Sequence, residues 1–536
     1  MLNTISTDVL VIGAGLTGLR AALAASQFGK KVLVLSKGPR CSYGVMGFNA
    51  AVGKEDSDKL YYDDILSSGK GLSNKKLAYI LSKNSALELR YLESNGLNFE
   101  KTAQGEYDLL QPLGCSKPRL VHIGKSTGPE SEKVFLEKLG QAGVLVAFDV
   151  TVLDLLVEKG RVYGALAVSQ NQLVCYAASS VVVAAGGCGA LYSVTTYPEG
   201  IQGDSYAMMA RAGVELIDME FIQFEPCCLA EPEILKGRGI STTMLNVGAK
   251  LLRADGHDFL SKYIPDIRDI QKGNLARAMY TEMGKTAWKP LLYDLRSISE
   301  EDLETHCLWT KELKACGLDT RIAPLKVCPA AHTFLGGAKV NERCETSVKG
   351  IFAAGEAMGG LHGANRIGGC AGAETYVFGA IAGESAAKYA TGENFSQQAE
   401  MLARKIFTTY SPKGDEKYEL IAIMRKRLSS CVSTGLSIVR NEQGIKASSE
   451  TAAEIESSAS RISWDNMSQL TACIELKNMA LVSRIMSAAS LARKESRGVF
   501  YRSDYPAQSE QFELNFIVSV QKGEITLSTK PDFHSD

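Results

Sequence analysis

Long apolar runs are missing from this sequence: no stretch reaches the roughly 18 consecutive apolar residues that a membrane-spanning helix needs. A surplus of charge is missing too. The 59 Lys and Arg nearly cancel the 60 Asp and Glu, so nothing points to a nucleic-acid surface or to an anionic membrane, and the ligand is expected to be small. No charged-then-apolar secretory segment and no transit peptide opens the chain, which runs from Met1 into a strand pattern at Thr7–Leu10. The expected location is cytoplasmic, or peripheral to the inner face of a membrane through a partner. The 13 cysteines, from Cys41 to Cys473, contain no CxxC pair and lack the dense regular spacing of a disulfide scaffold. They read as reduced thiols, with no metal site and no iron–sulfur cluster in this chain. The adjacent Cys227 and Cys228 read as buried bystanders, because neighbouring residues rarely bridge.

What is present points to an α/β chain. At 536 residues two or three domains are expected. The apolar run Asp8–Ile12 ends in Gly13-Ala14-Gly15-Leu16-Thr17-Gly18, an Ala/Leu-rich helix pattern follows over Leu19–Phe28, and a second apolar strand follows at Lys31–Leu35. A GxGxxG placed between a strand and a helix in one βαβ unit has the context that dinucleotide binding requires. Gly13 permits the tight turn, Gly15 lets the backbone approach a pyrophosphate, and Gly18 lets helix and strand pack closely. The free N–H groups and the dipole of the helix then favour phosphate. The acidic residue generally found at the end of the second strand is absent. The strand closes Leu35-Ser36-Lys37, and Ser36 retains a hydroxyl for a ribose.

Two further strand-plus-glycine blocks, Ser180–Gly187 and Gly350–Glu356, look like ends of parallel strands beside the same cofactor, with Ala185, Gly186, Gly355 and Glu356 at their tips. The nucleotide domain is therefore expected to be discontinuous, over 1–224 and 332–399. An inserted α+β capping domain is expected over 225–331, where charge rises and Trp288 and Trp309 occur. Helical spacing in Ile421–Val432 and Leu476–Leu491 predicts a helical C-terminal domain over 400–536, closed by a short β tail around the turn Lys522-Gly523.

The block His332-Thr333-Phe334-Leu335-Gly336-Gly337, then Gly355-Glu356, then Gly359 to Gly369 and Glu374, together with Arg493-Lys494-Glu495-Ser496-Arg497-Gly498 and Asp504-Tyr505-Pro506, resembles the flavoprotein subunits of the fumarate reductase, succinate dehydrogenase and L-aspartate oxidase family over nearly the whole chain. The Ser36-Lys37 ending fits the same family. The resemblance implies FAD as cofactor, with Glu356 on the ribityl chain, Gly368, Gly369 and Glu374 along the flavin, and Ser42, Gly47, Thr127 and Gly128 near it. Arg366 and His332 match the family's substrate-carboxylate clamp. An arginine offers a planar fork to a carboxylate, and a histidine adds a second hydrogen bond. His362, in the same loop, reads as structural.

The chain departs from that family at several positions. Members that attach FAD covalently do so through a histidine after the second strand. Here the segment is Cys41-Ser42-Tyr43-Gly44-Val45-Met46-Gly47, with Tyr43 at that place, so FAD is expected to be non-covalent. Where the family reads Gln-Phe-His-Pro-Thr, this chain reads Gln223-Phe224-Glu225-Pro226-Cys227. Glu225 either repels a dicarboxylate, or points away or is neutralised by a nearby lysine. Ser241-Thr242 and Leu245 stand where the family carries the Thr-Glu and arginine of a proton relay. Lys272 aligns with the general-acid arginine and Arg277 with a second arginine. Lys272 is a general acid if burial lowers its pKa, and otherwise a surface lysine of the cap.

Three functions remain open at this stage. The first is hydride exchange between flavin N5 and a carbon beside a carboxylate of a small organic acid, which here is not plain fumarate or succinate. The second is an L-aspartate-oxidase-like oxidation of an amino or hydroxy acid, with Glu225 accepting a hydrogen bond from the ammonium or hydroxyl group. The third is a non-catalytic FAD electron-transfer subunit of a larger complex. An iron–sulfur or other electron-transfer partner subunit is compatible with all of them.

Overall fold

The computed structural model describes residues 2–38, 42–267, 270–307, 309–412 and 414–530; Cys41 of the segment around Tyr43 lies outside them. VLVI at Val9–Ile12 and VLVL at Val32–Leu35 carry no polar face and are buried at every position. Such runs belong inside a parallel sheet covered on both sides. They sit in a five-stranded parallel sheet in the order Ile351–Ala353, Ser180–Val183, Val9–Ile12, Val32–Leu35, Leu145–Ala147. The three strand ends expected beside one cofactor are thus adjacent. Strand order reverses at Val9–Ile12, where open α/β sheets form their ligand crevice. Helix Leu16–Ser26 follows the glycine turn and crosses helix Cys370–Tyr389 so closely that a Cβ on Gly383 would stand 2.0 Å from the carbonyl oxygen of Ala21.

Asn3–Ser6 forms a strand that does not belong to this sheet. It pairs in parallel with Gln172–Ala177, which continues through Arg161–Ser169 to Val150–Glu158 in a separate four-stranded sheet. The stretch between 225 and 331 holds a second apolar core whose buried members run from Cys227 to Val327. Its sheet runs Ile222–Leu229, Leu325–Phe334, Leu291–Asp294, Lys250–Leu252, all antiparallel. The first pair begins at Ile222 opposite Phe334. Chain entry and exit are therefore paired in one ladder, and positions 225 and 331 fall inside it rather than in loops.

Helices Leu420–Gly435, Glu442–Ala459 and Met467–Ala492 follow. The closing hairpin, Asn515–Gln521 with Glu524–Lys530, turns at Lys522 and Gly523, both at positive φ. It packs against helix Met467–Ala492, but its strand pairing is with another part of the chain. Asn515–Gln521 pairs with Leu216–Ile217, in one sheet with Gly337–Lys339 and Met358–Gly359. A lone two-stranded hairpin is marginal in water, so joining existing strands is the stable arrangement.

Candidate active site

The ends of the parallel strands open into a cleft of about 290 Å³. Gly13, at φ +108, brings its Cα so close to the neighbouring strand that a Cβ would be 2.3 Å from the carbonyl oxygen of Ala184, and a Cβ on Gly18 would be 1.8 Å from the carbonyl oxygen of Gly13. Gly15 differs: nothing lies within 4 Å of an added Cβ, because that space is the cleft. No side chain caps helix Leu16–Ser26, so its first N–H groups remain available to phosphate. This chemistry and shape fit the pyrophosphate of a dinucleotide.

Of the cofactor residues expected from sequence, Gly13, Gly15, Ser36, Lys37, Ser42, Ala185, Gly186 and Glu356 line the cleft. The others are not among its lining residues. A Cβ on Gly47 would press on the carbonyl oxygen of Val121, one on Gly355 on Thr17, one on Gly368 on Pro112 and one on Gly369 on Asn49. Each sits where the chain packs closely against another segment. Glu374 is buried and bonded to Nε2 of His362 at 3.0 Å.

Sequence reasoning missed Asp204. It also lines the cleft and takes Lys37 Nζ at 2.7 Å, while Glu475 of helix Met467–Ala492 takes the same ammonium at 2.6 Å. Burial would lower the Lys37 pKa, but Asp204 and Glu475 outweigh it and raise it. An acidic group absent from the end of the second strand is therefore present at the cleft from another element. Gly203-Asp204 opening an apolar helical run was the signal that a helix starts there. Glu356 accepts from Tyr197, from Phe334 N at 2.9 Å and from Gly187 N at 3.1 Å. Burial pushes its carboxyl up to about 7. Three of its four acceptor positions are filled, and one is left for a ribityl hydroxyl.

A second group of side chains assembles where the ladder leaves the nucleotide-binding part. Gln223 pairs with Thr333 and Phe224 with Ala331, so His332 is the extra residue of a β-bulge. A bulge re-aims one side chain. The ladder is irregular again between Glu225 and Cys228, around Pro226, which has no N–H to donate. Glu225 is paired with Lys272, the first residue of helix Lys272–Lys285. Nε2 of His332 lies 3.8 Å from the same carboxylate, and its Nδ1 lies 3.0 Å from the Thr196 hydroxyl.

Arg366 is buried, donating to Gln223 Oε1 at 2.8 Å and to the Ile367 carbonyl at 3.1 Å, while its Nε has no partner. Among the described residues no acidic side chain is within ion-pair distance of it. Burial alone would raise the Glu225 carboxyl; Lys272 above all, with Arg366 behind it, holds it below the usual range. Burial, then Lys272 and Arg366, push His332 down to about 3 against the pull of Glu225. The imidazole is neutral at working pH.

Two expected members do not join this group. Arg277 is exposed, its guanidinium 4.6 Å from the centroid of the Tyr501 ring; five residues beyond Lys272 it has turned to another side of the helix. Ser241 caps the turn Thr242–Val247, accepting from Thr243 N at 3.3 Å. A capping oxygen so engaged has a structural task.

The FAD binding domain model matches residues 8–371, and the fumarate reductase flavoprotein C-terminal model matches residues 425–532. This chain belongs to the fumarate reductase and succinate dehydrogenase flavoprotein family. Like other members of that family, it is an FAD-dependent oxidoreductase. It is 32% identical to one subunit of the fumarate reductase (CoM/CoB) of Methanothermobacter marburgensis, over 96% of this chain and 97% of that one. It is 30% identical to L-aspartate oxidase of Mycobacterium tuberculosis, over 96% and 95%. A variant of E. coli quinol fumarate reductase FrdA shares the fold at a TM-score of 0.90 with 26% identity, covering 99% of this chain and 97% of that one. Among the described residues no helix is long and apolar enough to cross a membrane.

Proposed function

We propose that this flavoprotein exchanges a hydride with a carbon beside a carboxylate of a small organic acid, with the flavin held by the cleft and the acid by the group around Arg366. The observation that carries this reading is the buried Arg366 guanidinium, with no acidic side chain within ion-pair distance among the described residues and a neutral His332 near it. A buried cation without a counter-ion is costly, and a bound carboxylate removes that cost. Bound FAD supplies two-electron hydride chemistry. Arg366 orients the carboxylate, His332 adds a hydrogen bond, and Lys272 moves the proton at its ammonium. Glu225 holds that ammonium in place.

The region 225–331, with its own core, acts as the cap that excludes water, and 400–536 acts as the helical domain behind the cleft. The flavin is non-covalent, since Tyr43 stands where members with covalent FAD carry the attaching histidine. An iron–sulfur or other electron-transfer protein is the proposed partner, in the cytoplasm or at the inner face of a membrane. The chain's relation to a protein named as one subunit of a larger enzyme supports this.

One observation favours the second reading, an amino or hydroxy acid oxidase: an ionised carboxylate, Glu225, stands inside the site and can accept from an ammonium or hydroxyl group. Anaerobic reoxidation of the photoreduced flavin by conjugated acids, run beside oxygen consumption with 2-amino and 2-hydroxy acids, separates the two. Reoxidation by a conjugated acid supports the first reading. Oxygen uptake alone replaces it with the second, and inertness in both leaves only an electron-transfer role.

A further inference from the structure

Tyr43 lies on the nucleotide-binding side, next to the cleft-lining Ser42. Its hydroxyl donates to the Thr196 carbonyl at 3.0 Å, and the Thr196 hydroxyl is 3.0 Å from Nδ1 of His332. On its ring face Tyr43 receives Arg238, whose guanidinium carbon is 4.9 Å from the ring centroid and 4.7 Å from that of Trp309. Arg238 and Trp309 both come from the 225–331 region. Trp309 is oriented by a bond from Nε1 to the Gly239 carbonyl at 3.0 Å.

The loop carrying Arg238 is pressed onto the other side: a Cβ on Gly237, at φ +81, would be 1.9 Å from the Thr195 carbonyl oxygen. Thr196 N in turn donates to the Ala331 carbonyl at 3.0 Å, one residue before His332. The short segment 194–196 is thus touched by the cap loop, by Tyr43 and by the bulged strand at once. Among the described residues no acidic side chain lies within ion-pair distance of Arg238, so two aromatic rings are what seats this cation.

We propose that Tyr43 is a positioning residue that couples the seating of Arg238 between Tyr43 and Trp309 to the orientation of His332 through Thr196. The inference rests on the reading of His332 as a substrate-facing group. Its physical content is that one ring and one hydroxyl on the same residue serve two partners. The ring holds the cap loop, and the hydroxyl holds the segment that anchors the imidazole. Unseating Arg238 lets the loop at Gly237 lift from Thr195, and the anchor of Nδ1 loosens with it.

The test uses the FAD-loaded enzyme and two readouts that do not depend on any acid being turned over. Acrylamide quenching of Trp309, in a Trp288→Phe/Trp464→Phe background, reports the seat. Carbethoxylation of His332 by diethyl pyrocarbonate, followed by peptide mass spectrometry, reports the anchor. Arg238→Ala is expected to raise both by about fivefold, the weight of a cation–π contact of this kind. Arg238→Lys, which keeps a cation, should restore most of each. Tyr43→Phe keeps the ring and should raise His332 labelling while leaving Trp309 quenching as in wild type.

Increased quenching in Arg238→Ala with unchanged His332 labelling would overturn the coupling, as would wild-type labelling in Tyr43→Phe. Should Arg238→Ala not retain FAD, Arg238→Gln, which removes the cation but keeps most of the side chain's bulk, carries the same comparison. Failure of every acid to react would sink the functional reading and leave these outcomes intact.

Discussion

A side chain added at Gly15 would meet no protein atom within 4 Å and would stand in the cleft instead. Gly15→Val is therefore expected to fold yet lose FAD, seen as absent flavin absorbance after desalting with an unchanged far-ultraviolet spectrum. At Arg366 the geometry of the fork matters more than its charge. Arg366→Lys should keep full flavin content and lose on the order of a hundredfold in turnover, because misplacing a carboxylate by about an ångström has that effect. Wild-type turnover on the best acid would remove Arg366 from the clamp. Both residues were singled out from sequence, since each proposed role follows from what a residue type can do in a short glycine-rich stretch. The pairing of Glu225 was not. Sequence left it between repelling a substrate and being neutralised, and Lys272, 47 positions later, neutralises it.

That pairing is made between a strand and a helix, and its consequences belong to both. Glu225→His removes the anion, adds a hydrogen-bond donor and releases Lys272. An unshielded pair of carboxylates about 4 Å apart at an effective dielectric near 20 repels by roughly 4 kcal/mol. Lys272 already offsets part of this, so KM for fumarate is expected to fall about tenfold, while kcat falls too because the released Lys272 ammonium is no longer held in place. If wild type and variant show the same KM for fumarate, the carboxylate does not face the substrate. On the helix, Lys272→Ala should abolish most turnover. Arg277→Ala should keep turnover within about twofold, since surface substitutions of this kind are nearly neutral. Equal losses would return Arg277 to the site. The short alignment placed both residues on one catalytic path; a helix turns 100° per residue, and five steps separate their faces.

Distant parts of the chain meet in a buried ionic cluster. Arg493, Glu495 and Arg497, in the second family stretch, are fully buried and pair with one another and with Glu220. Beside them Asp218, at φ +60 and 0% exposed, accepts from Nδ2 of Asn515 at 2.9 Å on both oxygens. Burial, then Glu220, raises its pKa despite Asn515 and Arg493. A carboxyl whose folded pKa lies above its unfolded value, about 3.9, binds more protons folded than unfolded. Its effect on stability is therefore unfavourable and grows as pH rises from that value through neutrality. Asp218→Asn removes the titrating group while keeping the left-handed backbone acceptable. Thermal unfolding of the variant should match wild type near pH 4 and exceed it by about 3 °C at pH 8. An identical pH dependence in both proteins would show that Asp218 is ionised at no net cost.

The sequence by itself determined the parallel sheet, the glycine turn, FAD and the family, because each is written in local patterns: all-apolar runs, glycines where backbones touch, and ordered motifs. It also named most of the side chains that meet at Arg366. Only the tertiary structure decided which of them meet. Asp204 and Glu475 come to Lys37 from 167 and 438 positions away, the β tail pairs with the strand at Leu216–Ile217, and Arg277 turns outward. These outcomes depend on packing between elements far apart in the chain, and a pattern of residue types does not encode the direction in which a side chain points.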